Sequence, residues 1–449
     1  MRSSSNPVSR PALFRRGLPL VGSTLAYVRD PMRMMREQYD GFGPVSEVGF
    51  LGSRWTVLLG PDACGAALKN ADKAFANGPG WGRLVGPFFD RGLMLLDFEE
   101  HHRHRRLMLE AFTRPRLAGY ADALGPAVSR GLDAWQPGRG FLAYPALKEL
   151  TLGLATRVFM GADETADADE LAEVNAAFVA CVQAATALVR LPIPGTRWGR
   201  ALAGRRLLEE FFTRRIEAQR ATGGTDLFSV LCGLRDEGGT GLSDADIVNH
   251  MIFVLMAAHD TTTITVSSMM RRLGADQHWQ ERLRTEAAGL PECPSLDQLD
   301  GLEAFDMVMK ECLRLVPPVP VVARRTVKAT EVLGVHIPAR RYVAVMVHLG
   351  HLMPEYWSDP EVFDPERFAP ERREDKAHRH AWEPFGGGVH KCLGMAFAGA
   401  ETKLILHQLL RRFEWTVDAD YRDRLNYHSL PFPADGQPVD LRLLERTPA

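Results

Sequence analysis

From residue 243 onward, apolar positions return with a helical period: Ile247, Met251, Val254, Leu255 and Ala258. No Pro or Gly interrupts before Gly274, so the pattern predicts a helix of about 30 residues, about 45 Å long. Ser243-x-x-Asp246 in front of it resembles a capping box, with Asp in place of the usual Glu or Gln. Residues 100–290 as a whole carry long helical periods and few prolines. Residues 17–60 instead mix Pro and Gly with β-like runs at 45–48 and 55–59. A further helix should end near Leu315, where Pro317 and Pro318 stop it. Short strands are expected at 319–323, 332–337 and 342–347, and an ordered, charged loop over 353–384. Glycines 386–388 then lead into a last helix at 393–412 and a β-like tail. The expected fold is mainly α with small β-sheets, in helix-rich and β-rich portions.

Composition narrows the class. The chain has 449 residues, 45% hydrophobic and 24% charged, which suits a large folded core and excludes disorder. Length alone suggests about three domains, yet no linker or repeat divides the sequence. With 54 Lys+Arg against 56 Asp+Glu the net charge is −2, so nothing global argues for nucleic acid. The six cysteines form no C-x-x-C pair and suit a reducing compartment. Residues 1–22 hold four Arg, three Pro and no acid, without the apolar core of a secretory signal. A flexible tail over residues 1–16 is expected, ahead of one domain over 17–449. The apolar run at 251–258 is too short to span a bilayer, so a cytoplasmic protein without a transmembrane anchor is expected.

The most informative segment is Phe385-Gly386-Gly387-Gly388-Val389-His390-Lys391-Cys392-Leu393-Gly394. Its glycines permit a tight loop whose backbone can approach a flat ligand. Cys392 precedes an Ala-rich helix, where backbone N–H groups favour thiolate. A thiolate on such a platform suits a single axial ligand to haem iron. The plainer alternative is a buried structural cysteine; zinc lacks a second nearby cysteine.

This string resembles the haem-binding signature of the cytochrome P-450 family, with Phe385, Gly388, His390, Cys392 and Gly394 at its defining positions. Three other segments carry the resemblance further. Glu311-Cys312-Leu313-Arg314 read alone is a common surface i,i+3 ion pair. The family pattern makes Glu311, Arg314 and the downstream Arg367 a buried structural network. The cluster from Glu99 to Arg106 read alone is a solvated helix face, a small basic patch, or an incomplete zinc pair at His101 and His104. The resemblance assigns His101 and Arg105, with Arg324 and His390, to the haem propionates, and places Phe385, Gly386 and Gly394 at the cofactor. Ala257-Ala258-His259-Asp260-Thr261-Thr262 resembles the family's oxygen-activation segment, in which Asp260 and Thr261 relay protons. Ala258 stands where Gly is usual, and its methyl narrows that groove.

The resemblance implies a haem-thiolate monooxygenase carrying haem b (iron protoporphyrin IX) on Cys392. Dioxygen and a small hydrophobic substrate (lipid, sterol, terpenoid or polyketide) would be consumed. Electrons would come from NAD(P)H through a separate ferredoxin and its reductase, since no flavin or dinucleotide fingerprint is present. Arg103, Arg106 and Lys391 would offer a basic patch to that acidic partner. Trp81, Phe88, Phe89, Phe253, Ala257, Val321, Val322 and Phe432 would line the substrate pocket. A monomer is expected. The alternatives are a peroxygenase or isomerase on the same fold, and a non-catalytic haem-binding protein.

Overall fold

The computed structural model describes residues 9–18, 21–50, 52–161, 168–185, 187, 190–427 and 430–444. It divides into two units. The first comprises Met1–Arg83, Met94–Glu99 and Val319–Cys392; the second comprises Leu84–Leu93, Glu100–Pro318 and Leu393–Ala449.

The first unit is built on a mixed six-stranded sheet in the order Leu13–Arg15, Val45–Phe50, Ser53–Leu59, Tyr342–Met346, Val322–Thr326, Phe75–Ala76. Val45, Leu58, Val343 and Val345 point into one apolar cluster with Ala63, Ala67 and Leu68 of the Pro61–Lys69 helix. Val48, Val57, Leu59 and Met346 face another, with Met34 and Met35 of the Pro31–Phe42 helix. Alternate strand positions thus cover both faces of the sheet.

Two expectations change here. Within the stretch expected to be a flexible tail, Arg10–Pro11 pairs with Val335–His336 and Leu13–Arg15 with Ser46–Val48, both in parallel. Existing sheet edges supply the partners, so chain order begins before residue 17. The run at 332–337 is not one strand but two, Thr330–Val332 and Val335–Ile337, reversed by Leu333 and Gly334 at φ 50° and 74°. Left-handed conformation at both positions makes a two-residue hairpin turn.

The second unit is helical apart from short sheets joining Phe413–Thr416, Pro438–Leu443 and Phe141–Leu142, and Leu425–Asn426 with Phe432–Pro433. Its main element is the 32-residue helix Asp244–Ala275, about 48 Å long. Ser243 caps it as expected: its Oγ accepts the Asp246 amide at 3.1 Å and donates to Asp246 Oδ2 at 2.7 Å. Residues 262–270 of this helix are all buried. The last helix is Met395–Arg412.

Candidate active site

In the first unit, Gly386 and Gly388 take φ of 64° and 65°. A Cβ on Gly388 would lie 2.0 Å from the Leu68 carbonyl oxygen, so only glycine allows both the turn and the approach to the Pro61–Lys69 helix. The Cys392 amide donates to the Phe385 carbonyl at 2.9 Å, closing the loop. Cys392 itself is exposed, which removes the buried-cysteine alternative. The contrast with other thiols is sharp: burial pushes Cys64, Cys181 and Cys312 up to about 12, and Cys232 up to about 11.

Arg324 lies in the Val322–Thr326 strand with 4% exposure. Its Nη1 donates to the Ala323 carbonyl at 2.9 Å, and burial, only partly offset by Asp97, pulls the guanidinium down to about 10. Asp97 in turn accepts the Asn77 and Gly78 amides at 2.6 and 2.9 Å and stands 3.9 Å from His390 Nε2. Asp97, which brings Arg324 and His390 to one place, had no signal in the sequence. Val321 and Val322 are half-buried beside the sheet clusters. Trp81 buries an indole N–H that has no partner. Arg367 is 1% exposed; it pairs with Glu374 at 3.0 Å and donates to the Asp359 carbonyl at 2.8 Å.

In the second unit, the Thr261 hydroxyl donates to the Ala257 carbonyl at 2.8 Å. Asp260 Oδ1 lies 3.1 Å from Lys148 Nζ and 3.2 Å from His259 Nε2. Lys148 comes from the Ala143–Met160 helix, too distant in sequence for spacing to suggest it. Ala257 is exposed at the middle of the long helix, and Phe253, Met256, Ala258 and Thr261 are half-buried around it. Positions three and four apart form one stripe, so this face is open where every residue from 262 to 270 is covered.

His101 is 1% exposed, and Arg105, one turn on, is half-buried. His104 is not available for zinc with His101: its Nδ1 meets His250 Nε2 at 2.8 Å, and burial drives His250 down to about 3. Among the described residues no three ligating side chains gather around a metal position. Arg103 donates to the Gly241 carbonyl at 3.0 Å and approaches Asp236, whereas Arg106 and Lys391 are exposed. Phe88 and Phe89 are fully buried, edge-on to Trp198 and Phe178. Phe432 stacks on Tyr144. Gly394 is half-buried at the start of the Met395–Arg412 helix. Glu311 and Arg314 are both 0% exposed and joined by two 2.7 Å hydrogen bonds. This is a buried pair, not the surface pair that the spacing alone suggested.

A helix-rich fold with small sheets and an exposed cysteine on a glycine-built loop is the layout that the sequence resemblance implies for a haem-thiolate protein. The model of the cytochrome P-450 family matches residues 11–436. The chain is 44% identical over 437 residues to a Mycobacterium tuberculosis protein named as cytochrome P-450 136, covering 96% of this chain and 89% of that one. It is 30% identical over 413 residues to cyclooctat-9-en-7-ol 5-monooxygenase of Streptomyces melanosporofaciens, covering 88% and 87%. The solved structure of retinoic acid bound cyanobacterial CYP120A1 superposes with a TM-score of 0.86 at 28% identity, covering 97% of this chain and all of that one. The chain belongs to the cytochrome P-450 family and is a monooxygenase of that family. No helix among the described residues is long and apolar enough to cross a membrane.

The family is haem-thiolate, and the residues present fit that group. Arg324 is a buried guanidinium whose acidic neighbour Asp97 acts on it without a hydrogen bond and gives its oxygens to two amides, so the guanidinium's other donors are left to meet another anion. Such a group is costly unless an anion joins it, and a propionate is one. The exposed Cys392 supplies the soft, ionisable donor an iron requires.

Proposed function

We propose that this chain carries haem b on Cys392 and inserts one oxygen atom of dioxygen into a hydrophobic organic substrate, with NAD(P)H electrons delivered by a separate ferredoxin-type partner. The observation that carries the substrate class is the stripe of Phe253, Met256, Ala257 and Ala258, apolar side chains that are exposed or only half-buried mid-helix. The relatives' names agree in kind: one acts on cyclooctat-9-en-7-ol, and one structure holds retinoic acid.

When bound, a thiolate-ligated haem pushes electron density toward O–O cleavage. The protein's own part is to hold the group and handle protons. Arg324, His390, His101 and Arg105 would hold the propionates through charge-assisted hydrogen bonds. Phe385, Gly386 and Gly394 would shape the loop and helix start beside the cofactor. Asp260 would take protons from solvent, being tied to the half-exposed Lys148, and Thr261 would pass them on. The Glu311–Arg314 pair and Arg367 would hold the fold. Trp81, Phe253, Ala257, Val321, Val322 and Phe432 would meet the substrate, with Phe88 and Phe89 packing behind. Residues 17–449 are read as one haem domain of a monomeric, cytoplasmic enzyme.

The test is a spin-state titration of the ferric holoenzyme with apolar and polar compounds. Apolar compounds should shift it from low to high spin, and sugars or amino acids should not; the reverse selectivity would overturn the substrate class. The peroxygenase reading is disfavoured by the presence of both Asp260 and Thr261. Turnover on hydrogen peroxide alone, indifferent to reductant, would restore it.

A further inference from the structure

His259 fills a position that the family segment leaves open, between Ala258 and Asp260. It is 2% exposed, and neither of its ring nitrogens has a hydrogen bond. Its Nε2 nevertheless lies 3.2 Å from Asp260 Oδ1, the same oxygen that Lys148 Nζ approaches at 3.1 Å. Phe178 of the Ala168–Ala185 helix meets the ring edge-on at 5.3 Å. A side chain there for packing alone would be served by Leu or Phe, because a buried imidazole without partners is costly.

Three ionisable groups surround this contact. Lys148 and Tyr144 come from the Ala143–Met160 helix, and Asp260 from the long helix itself; Phe178 adds no charge. Burial, with help from Lys148, holds the imidazole below its ordinary range against the pull of Asp260, so the ring is neutral. A neutral ring has one N–H. Placed on Nε2 it lies 3.2 Å from the carboxylate oxygen, within reach after a small reorientation, and Nδ1 is then a bare acceptor, which costs less than a stranded buried donor.

Asp260 therefore has two unlike neighbours. Lys148, with its side chain 35% exposed, approaches Oδ1 as a charged donor. The imidazole offers a donor without a charge.

We propose that His259 is a positioning residue for Asp260, holding the carboxylate through Nε2–H when it leaves Lys148 to accept and pass on a proton. The proton arrives from solvent on an Asp260 oxygen and leaves to the Thr261 hydroxyl oxygen as that hydroxyl gives up its own to the dioxygen that the monooxygenase reaction consumes. No electron moves, and the His259 ring keeps its proton. The inference rests on the reading of Asp260 and Thr261 as the proton path.

The experiment uses the holoenzyme with His259→Phe, which keeps a buried ring, and His259→Gln, which keeps a donor. ¹⁵N resonances of the wild-type ring should report the Nε2–H form and should shift in Asp260→Asn. Product formation should fall about tenfold in His259→Phe, part of the 10²–10⁴ that a positioned acid–base group contributes. The solvent deuterium effect should rise with it, and Gln should restore most of both. An Nδ1–H ring, or an unchanged rate and isotope effect in His259→Phe while Asp260→Asn is impaired, would overturn the His259 assignment alone. An unimpaired Asp260→Asn would instead overturn the proton path beneath it.

Discussion

Glu401 of the Met395–Arg412 helix is 3% exposed, and its Oε2 accepts the Thr262 hydroxyl at 2.7 Å. Burial pushes its carboxyl from 4.5 up to about 7, with the Thr262 bond opposing. A carboxyl raised in the folded state binds its proton more tightly there than in the unfolded chain. Its contribution is therefore most favourable below pH 4.5, declines as pH rises toward 7, and stays low above that. The gap between 4.5 and about 7, at about 1.4 kcal/mol per pH unit, amounts to about 3 kcal/mol. Glu401→Gln keeps the shape and the acceptor for Thr262 but cannot ionise. Urea unfolding of the two proteins should give nearly equal stabilities at pH 4, a gain for the variant of just under about 1 kcal/mol at pH 5, and a gain approaching about 3 kcal/mol at pH 8. A variant no more stable than wild type at pH 8, or equally favoured at pH 4 and pH 8, would show that burial does not raise the Glu401 carboxyl.

Three shorter predictions concern the loop, the buried pair and the relay. Gly388→Ala should destabilise by at least about 2 kcal/mol and weaken haem retention, because the new methyl meets the Leu68 carbonyl at a backbone angle that disfavours it; an unchanged melting temperature would contradict this. Glu311→Gln takes the carboxylate charge away from a fully buried guanidinium and should cost about 3–5 kcal/mol, measured by denaturant unfolding. Thr261→Ala should keep consuming reductant while making less product and more peroxide; unchanged coupling would show that another group carries the proton.

Much of this molecule can be read locally, and the remainder was hidden for a definite reason. The long helix announces itself through Ser243 and an unbroken helical period, and the cysteine loop through glycines that tolerate φ near 65°. Lys148 beside Asp260, Asp97 beside Arg324, and His250 against His104 are contacts between distant segments, and no spacing rule reaches them. Strands of two or three residues, such as Arg10–Pro11 and Leu13–Arg15, are too short to show alternation and take their form from the edges they join. Pro317, Pro318 and Pro320 explain why the strand expected at 319 begins only at Val322, since proline cannot donate to a ladder. The i,i+3 pairing of Glu311 with Arg314 could be read from sequence; its complete burial could not.

The central claim is that Cys392 is the ligand that makes this chain a haem-thiolate enzyme. The most direct measurement is the absorption spectrum of the reduced, CO-bound protein before and after Cys392→Ser. Wild type should show the red-shifted Soret band of thiolate ligation, and the variant should lose it while the fold persists by circular dichroism. Survival of that band in the folded variant would contradict the account.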